Sequence, residues 1–246
     1  MLRQVLQATA IATVGLAGVA AGQSSSPPPG QLAPIHGPYA PKIDPANFGT
    51  KIDNSYLPFK PGMKIHFVGV RGKTRQTDDE VVTSRTRRIL GVRATAVRDT
   101  VSEHGHAVER TDDWYAQDKQ GNVWYMGEAA FDFQHGHWVP ADDSWEAGRA
   151  GAQPGFIVEA HPKVGDVYAQ EHLPGTAMDM ARVLTTHATI SVPDGDFSHV
   201  LKTHECTPLE PGVLDVKYYG RGVGEVAEAT VQGGSANLVL VSVTHG

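Results

Sequence analysis

Residues Asp99–Trp138 read DTVSEHGHAVERTDDWYAQDKQGNVWYMGEAAFDFQHGHW. Three X-Gly steps, His104-Gly105, Gln120-Gly121 and His135-Gly136, recur here at near-equal intervals between runs of strand-forming residues. A two-residue hairpin turn needs positive φ, which glycine adopts at little cost, so this spacing predicts an antiparallel meander. With His104-Gly105 as the first turn, Val101 faces Val108 and Asp99 faces Arg110 across the ladder, an apolar and an opposite-charge pair. The second turn, around Lys119-Gln120-Gly121-Asn122, brings Asp113 close to Glu128 and lines up Trp114, Tyr115, Trp124 and Tyr125 in adjacent strands. The third sets Phe133 opposite Trp138.

Working outward, Lys64–Val70, Glu80–Leu90, Asp166–His172 and Val183–Val192 carry further strand patterns, with turns at Asp194-Gly195, Glu210-Pro211-Gly212 and Gly233-Gly234. Residues 140–165 form a less regular insert rich in Gly, Ala and Asp. Only 176–184, containing Met178-Asp179-Met180-Ala181, suggests a helical turn. The expected fold is all-β, a curved antiparallel meander forming an open or half barrel of about ten strands with little helix.

Residues 1–22 have Arg3 near the start, an apolar run from Val5 to Ala21 and a small-residue exit, the pattern of a signal peptide. Residues 23–45 are crowded with Ser, Pro and Gly and read as a disordered linker, leaving 46–246 as a single β domain. This organisation predicts a secreted or periplasmic protein without a transmembrane anchor. The net charge is −6, and removal of a leader whose only charge is Arg3 leaves −7. An acidic surface disfavours nucleic acid and anionic membrane as partners. The single cysteine, Cys206, excludes an internal disulfide, and its neighbours Glu205 and Thr207 offer no positive charge to activate it, so it reads as a structural thiol.

Chemistry is less legible. Twelve histidines are many for this length, and His104-Gly105-His106 and His135-Gly136-His137 have the alternate spacing that on a regular strand points two rings to one face. Each triplet instead sits where a hairpin turns, so exposed turn histidines are the expected reading and no cofactor is required. The alternative is a copper or zinc enzyme, because turns one and three emerge at the same sheet end and His104, His106, His135 and His137 could approach one another. His66, His161, His172, His187, His199 and His204 could join such a site, but nothing in their spacing selects any of them. No Gly-x-Ser-x-Gly elbow is present, and Gly220-Arg221-Gly222-Val223-Gly224 reads as a tight bend rather than a dinucleotide fingerprint. Asp113 and Glu128 beside aromatic rings resemble a carboxylate pair suited to sugars. The leading expectation is a groove for an apolar or amphiphilic small molecule, or a protein partner. Trp114, Trp124, Tyr125 and Trp138 supply its contact area, and Asp113, Glu128 and Glu146 lie at its rim.

Four strings carry a resemblance: Ile43-Asp44-Pro45-Ala46-Asn47-Phe48, Asp113-Trp114-Tyr115-Ala116-Gln117-Asp118, Gly121-Asn122-Val123-Trp124-Tyr125 and Ser144-Trp145-Glu146-Ala147-Gly148. Together they resemble a set of uncharacterised exported bacterial β-rich proteins, in which Asp-Gly or Asn-Gly stands where this chain has His104-Gly105 and His135-Gly136. The C-terminal strings Val192–Phe197 and Lys217-Tyr218-Tyr219-Gly220-Arg221-Gly222-Val223-Gly224 resemble, more loosely, the half-barrels of LolA-like lipoprotein carriers. The resemblance implies a β fold and an exported location, and brings no catalytic residues.

Overall fold

The structure, a computed structural model, describes residues 39–246. The expected signal peptide and most of the expected linker therefore lie outside the described residues. The last part of that linker runs against the domain, where the Tyr39 hydroxyl donates to the Pro154 carbonyl at 2.9 Å and Asp44 caps a 3-10 turn, Pro45–Asn47.

Fifteen strands follow: β1 (Lys64–Arg71), β2 (Thr74–Ile89), β3 (Val92–Glu103), β4 (His106–Gln117), β5 (Val123–Gln134), β6 (His137–Pro140), β7 (Trp145–Glu146), β8 (Gln153–Val158), β9 (Val167–Ala169), β10 (Glu171–His172), β11 (Met180–Val192), β12 (Gly195–Cys206), β13 (Leu214–Gly220), β14 (Gly224–Gln232) and β15 (Ala236–Thr244). The all-β antiparallel class is as expected. The strand number exceeds ten in part because the insert expected to be irregular contributes β7 and β8 and because the expected strand Asp166–His172 is split into β9 and β10.

All strands join one antiparallel sheet in the order β10-β8-β5-β4-β3-β2-β1-β15-β14-β13-β12-β11-β9, with β6 and β7 added on β5. The two ends of that order, β9 and β10, are parts of one continuous segment separated only by Gln170. Ala169 pairs with Met180 on β11, and Glu171 with Pro154 on β8, so residues 167–172 form the seam that turns the sheet into a nearly closed barrel. Closure removes the exposed strand edges that an open sheet of this size would carry.

The first and third turns take the conformation the sequence predicts. His104 and Gly105 have φ of 51° and 80°, and His135 and Gly136 have 51° and 85°. Both central residues at positive φ are what a type I′ hairpin requires. Asp113 pairs with Glu128 and Phe133 with Trp138, also as expected. The first hairpin departs from expectation two residues from its turn. A register shift between Val101 and Ser102 pairs Val101 with Glu109 and Asp99 with Thr111, so the anticipated Val101–Val108 and Asp99–Arg110 pairs do not form. A bulge there inserts one residue into β4 and exchanges its two faces. The helical turn expected over 176–184 is likewise absent. Ala181 and Val183 are fully buried while Arg182 and Leu184 are half-buried, and this two-residue alternation places residues 180–184 in β11, with 176–179 in the turn and connection that precede it.

Residues 52–63 plug one end of the barrel. Ile52, Tyr56, Leu57, Phe59 and Met63 are buried there with Ile65, Phe67, Val82, Val97, Leu201 and Leu240. The plug is tied to the turns of that end: Asn54 Nδ2 donates to the Gly121 carbonyl at 2.8 Å and Gly222 N–H to the Ser55 carbonyl at 2.8 Å. The opposite end, formed by the β1–β2, β3–β4, β5–β6, β12–β13 and β14–β15 turns, has no such cover among the described residues.

The seam yields a test. A side chain on Gly155 of β8 would run into the Ala169 carbonyl, whereas one on Gly49 meets nothing nearer than 3.8 Å. Gly155→Ala is expected to destabilise the protein by about 1–3 kcal/mol, as overpacking against backbone does, with Gly49→Ala much smaller in effect. Denaturant midpoints of the two variants give the comparison, and equal midpoints would contradict a tightly closed seam.

Candidate functional site

Along the inward face of each long strand the side chains change character from one end of the barrel to the other. On β2 the buried series runs Gln76, Asp78 and then Val82, and on β4 it runs Glu109, Thr111, Asp113 and Tyr115. On β12, Glu205 and Thr203 precede Leu201, and on β13, Lys217 precedes Tyr219. The apolar members meet the plug. Of the polar members, Glu109, Thr111, Asp113, Glu205 and Lys217 line a cavity of about 200 Å³ toward the uncovered end, walled also by Leu209, Glu210 and Val213 of the β12–β13 loop.

Eleven carboxylate side chains line this cavity, among them Asp99, Asp113, Glu128, Glu171, Asp179 and Glu205, against one ammonium, Lys217. Three tyrosines form the boundary between the halves. Tyr115 and Tyr125 stack with ring centroids 5.0 Å apart. The Tyr125 hydroxyl lies 2.5 Å from Asp113 Oδ1 and 2.8 Å from Glu128 Oε2, and Tyr219 donates to Glu205 Oε1 at 3.1 Å. Each ring is apolar and buried while its hydroxyl faces the acids, the division of labour for which tyrosine is suited. Lys217 Nζ stands 3.7 Å from Glu205, 3.4 Å from Glu225 and 3.5 Å from Glu228. Thr203 adds a hydrogen bond to Glu205 Oε1 at 2.9 Å.

One ammonium cannot neutralise so many carboxylates, and removal from water disfavours their charged forms. Burial, reinforced by the Asp99 charge, pushes Asp113 up to about 7. Burial likewise raises Asp179 to about 7, with Glu205 adding to the effect, and Glu225 to about 7 against the opposing pull of Lys217. Glu80 is pushed up to about 8 by burial and then by Asp99 and Glu225. Glu128 and Glu171 are also raised well above the carboxylate range, chiefly by burial and next by Asp113 and Asp179 respectively. Asp78 is raised by burial and by Asp99, with which it shares a hydrogen bond that only a protonated carboxyl can donate. Asp113, Asp179, Glu225 and Glu80 therefore change charge near neutrality.

Of the residues expected to form an aromatic groove, the structure brings Asp113, Glu128 and Tyr125 together at the cavity. The others lie elsewhere. Trp114 is on the outer face, under the Arg87 guanidinium at 4.4 Å, and Arg87 in turn bonds Glu146, which also holds Arg149 at 2.7 Å. Trp124 donates from Nε1 to Asp118 Oδ2 at 2.9 Å and meets Phe156 edge-on at 4.3 Å. Trp138 lies beneath Arg110 at 4.4 Å and beside Phe133. His104, His106, His135 and His137 are exposed at the hairpin tips, with His137 Nδ1 3.3 Å from the His135 carbonyl. Among the described residues no group of three or more His, Cys, Asp or Glu side chains is arranged to hold a metal ion. Cys206 lines the cavity, and burial followed by Asp179 pushes its thiol up to about 11, away from the thiolate. The sequence reading overlooked Asp78, Glu80, Asp99, Glu171, Asp179, Glu205, Lys217, Glu225 and Glu228. Their one signal is alternation, as in Gln76-x-Asp78-x-Glu80-x-Val82, where acids share a face with core residues.

No family model matches the chain, and no curated protein matches it. Two solved structures are similar. One, from Bacteroides fragilis, is described as exported and of YmcC-like fold, and aligns over 78% of this chain and 99% of its own at 13% identity with a TM-score of 0.47. The other, described as a lipoprotein from Parabacteroides distasonis, aligns over 78% and 99% at 10% identity with a TM-score of 0.43. Among the described residues no helix is long and apolar enough to cross a membrane.

The raised carboxyls fix the sign of the pH dependence. A carboxyl whose folded pKa exceeds its unfolded one stabilises fully below the unfolded value, about 4, and that contribution is lost as pH rises through the folded value. With Asp113, Asp179 and Glu225 near 7 and Glu80 near 8, stability is expected to fall between pH 5 and 8. Melting temperatures across that range measure it, and a flat or rising profile would contradict the buried acids. Lys217→Met removes the one interior cation and is expected to cost about 3–5 kcal/mol at pH 7.5, the usual penalty for orphaning a buried charge. The loss should be smaller at pH 5, where Glu225, raised to about 7, carries its proton.

Proposed function

We propose that this is an exported binding protein that takes a small organic cation, with an amine or guanidinium head, into the acidic end of its barrel. The observation that carries the reading is the cavity's acidity: eleven carboxyl groups face about 200 Å³ with a single internal cation. Lys217 supplies the internal precedent, since three glutamates already hold an ammonium group within 3.7 Å. A second ammonium entering from the uncovered end would meet Asp113 and Glu128, held in place by the Tyr125 hydroxyl. The volume lies below the ~300–1,000 Å³ of ordinary drug-sized pockets, which restricts the ligand to few heavy atoms. The outer aromatic rings are each covered by a guanidinium or by other rings, so the apolar-groove reading has less geometric support. Export rests on the leader pattern of residues 1–22.

Thermal shift and calorimetric titration with putrescine, agmatine and spermidine test the proposal, with betaine, acetate and a short-chain fatty acid as controls. A bound cation raises the melting temperature with the logarithm of its free concentration once that exceeds Kd. The effect should be larger at pH 8 than at pH 5.5, because binding displaces protons from the raised carboxyls. Asp113→Asn together with Glu128→Gln should weaken binding at least tenfold. Indifference to every amine, or a response only to the fatty acid, would overturn the reading.

A further inference from the structure

We propose that His187 and His199 form a two-imidazole chelate for a divalent transition ion, Cu²⁺ or Zn²⁺, on the outside of the β11–β12 hairpin. The site is separate from the acidic cavity and does not depend on it. The two Nδ1 atoms face each other at 3.3 Å, with ring centroids 5.6 Å apart and planes at 76°. Two nitrogens bound at about 2.0–2.1 Å to tetrahedral Zn²⁺ stand about 3.3–3.4 Å apart, and two cis nitrogens on tetragonal Cu²⁺ about 2.9 Å, so the observed separation has the bite for Zn²⁺ and closes by a few tenths of an ångström for Cu²⁺. Imidazole nitrogens are the preferred neutral ligands of both ions. Both histidines are exposed, leaving the remaining coordination positions to water.

The backbone provides a second, independent observation. His199 adopts φ of 53°, a left-handed conformation uncommon for a residue other than glycine. It lies where the ladder slips, between the pairs Ala188–Val200 and Ile190–Phe197. Bulges of this kind re-aim a side chain, and this one turns the His199 ring onto its diagonal neighbour. On the other strand, the His187 N–H donates to Thr185 Oγ1 at 3.1 Å, which fixes the backbone that carries the first ring. The two Nδ1 atoms already lie at hydrogen-bond distance, so the rings are close enough to serve one ion.

Cu²⁺ titrated into the full chain without a histidine tag, followed by calorimetry and electron paramagnetic resonance, tests the site. One equivalent is expected to bind, with superhyperfine splitting from two nitrogens. His187→Gln and His199→Asn should each weaken binding at least tenfold and leave one nitrogen in the spectrum. Asn is chosen at position 199 because it tolerates the left-handed backbone, and circular dichroism confirms that the variant keeps its fold. A variant with both His104→Ala and His137→Ala should bind as the parent does. No binding by the parent, an unchanged spectrum in His187→Gln or His199→Asn, or loss of binding in the hairpin-tip variant would each overturn the assignment.

Discussion

Lys217 places an ammonium group in the middle of a protein barrel, within 3.7 Å of three glutamates, and the polar half of the interior is organised around it. The four residues come from β12, β13 and β14, so the ion cluster spans three adjacent strands. Bringing these charges out of water is expensive, and their mutual attraction offsets the cost only when the remaining lone pairs are satisfied. Thr203 and Tyr219 meet that need at Glu205, the carboxylate they share with Lys217. Carboxyls farther from the ammonium take the other route and retain protons. Asp78 with Asp99, and Asp113 with Tyr125 and Glu128, are hydrogen-bonded groups of that kind. One fixed cation and a set of shared protons thus replace the apolar filling that a small barrel normally has.

The two halves of the interior need each other. The plug formed by residues 52–63 seals one end with Tyr56, Phe59 and Met63, and supplies the burial that holds the sheet closed. Closure in turn creates the low-dielectric space in which carboxyl pKa values rise. The tyrosines at the boundary let one strand serve both environments within two residues, as Asp113 and Tyr115 do on β4. An opening at the uncovered end is therefore compatible with a stable fold, because the apolar half carries the packing.

Local chemistry made the turns legible and left the closure hidden. Positive φ at His104-Gly105 and His135-Gly136 follows from residue type, whereas the Asp113–Glu128 pair forms because the shift between Trp114 and Tyr115 changes the register that Gln117–Val123 sets at the turn. The seam does not follow from residue type, because residues 167–172 pair with β8 on one side and β11 on the other, and nothing local in Val167–His172 specifies two partners. The acids were hidden for a related reason. Alternating charged residues in a strand ordinarily mark the solvent face, and only the closed barrel shows that this face is the enclosed one. His187 and His199 are twelve residues apart and meet through a ladder slip that no spacing rule anticipates.

The slip in the first hairpin carries the largest consequence. Had β3 and β4 kept the register set by the turn, Asp99 would face Arg110, and the inward set of β4 would be Arg110, Asp112, Trp114 and Ala116. That barrel would present an indole and a guanidinium to its interior, and an aromatic groove would follow. The shift between Val101 and Ser102 moves the pairing by one residue, and a one-residue slip exchanges every side chain between faces. Glu109, Thr111, Asp113 and Tyr115 turn inward, and Trp114 turns outward beneath Arg87. A second shift, between Trp114 and Tyr115, leaves Met126 as the extra residue of β5 and sets Tyr125 opposite Tyr115. Gly127, at φ of 141°, permits that irregularity where β7 approaches too closely for a side chain. Two single-residue insertions thus determine whether the cavity is aromatic or acidic, and with it the kind of ligand the barrel can accept.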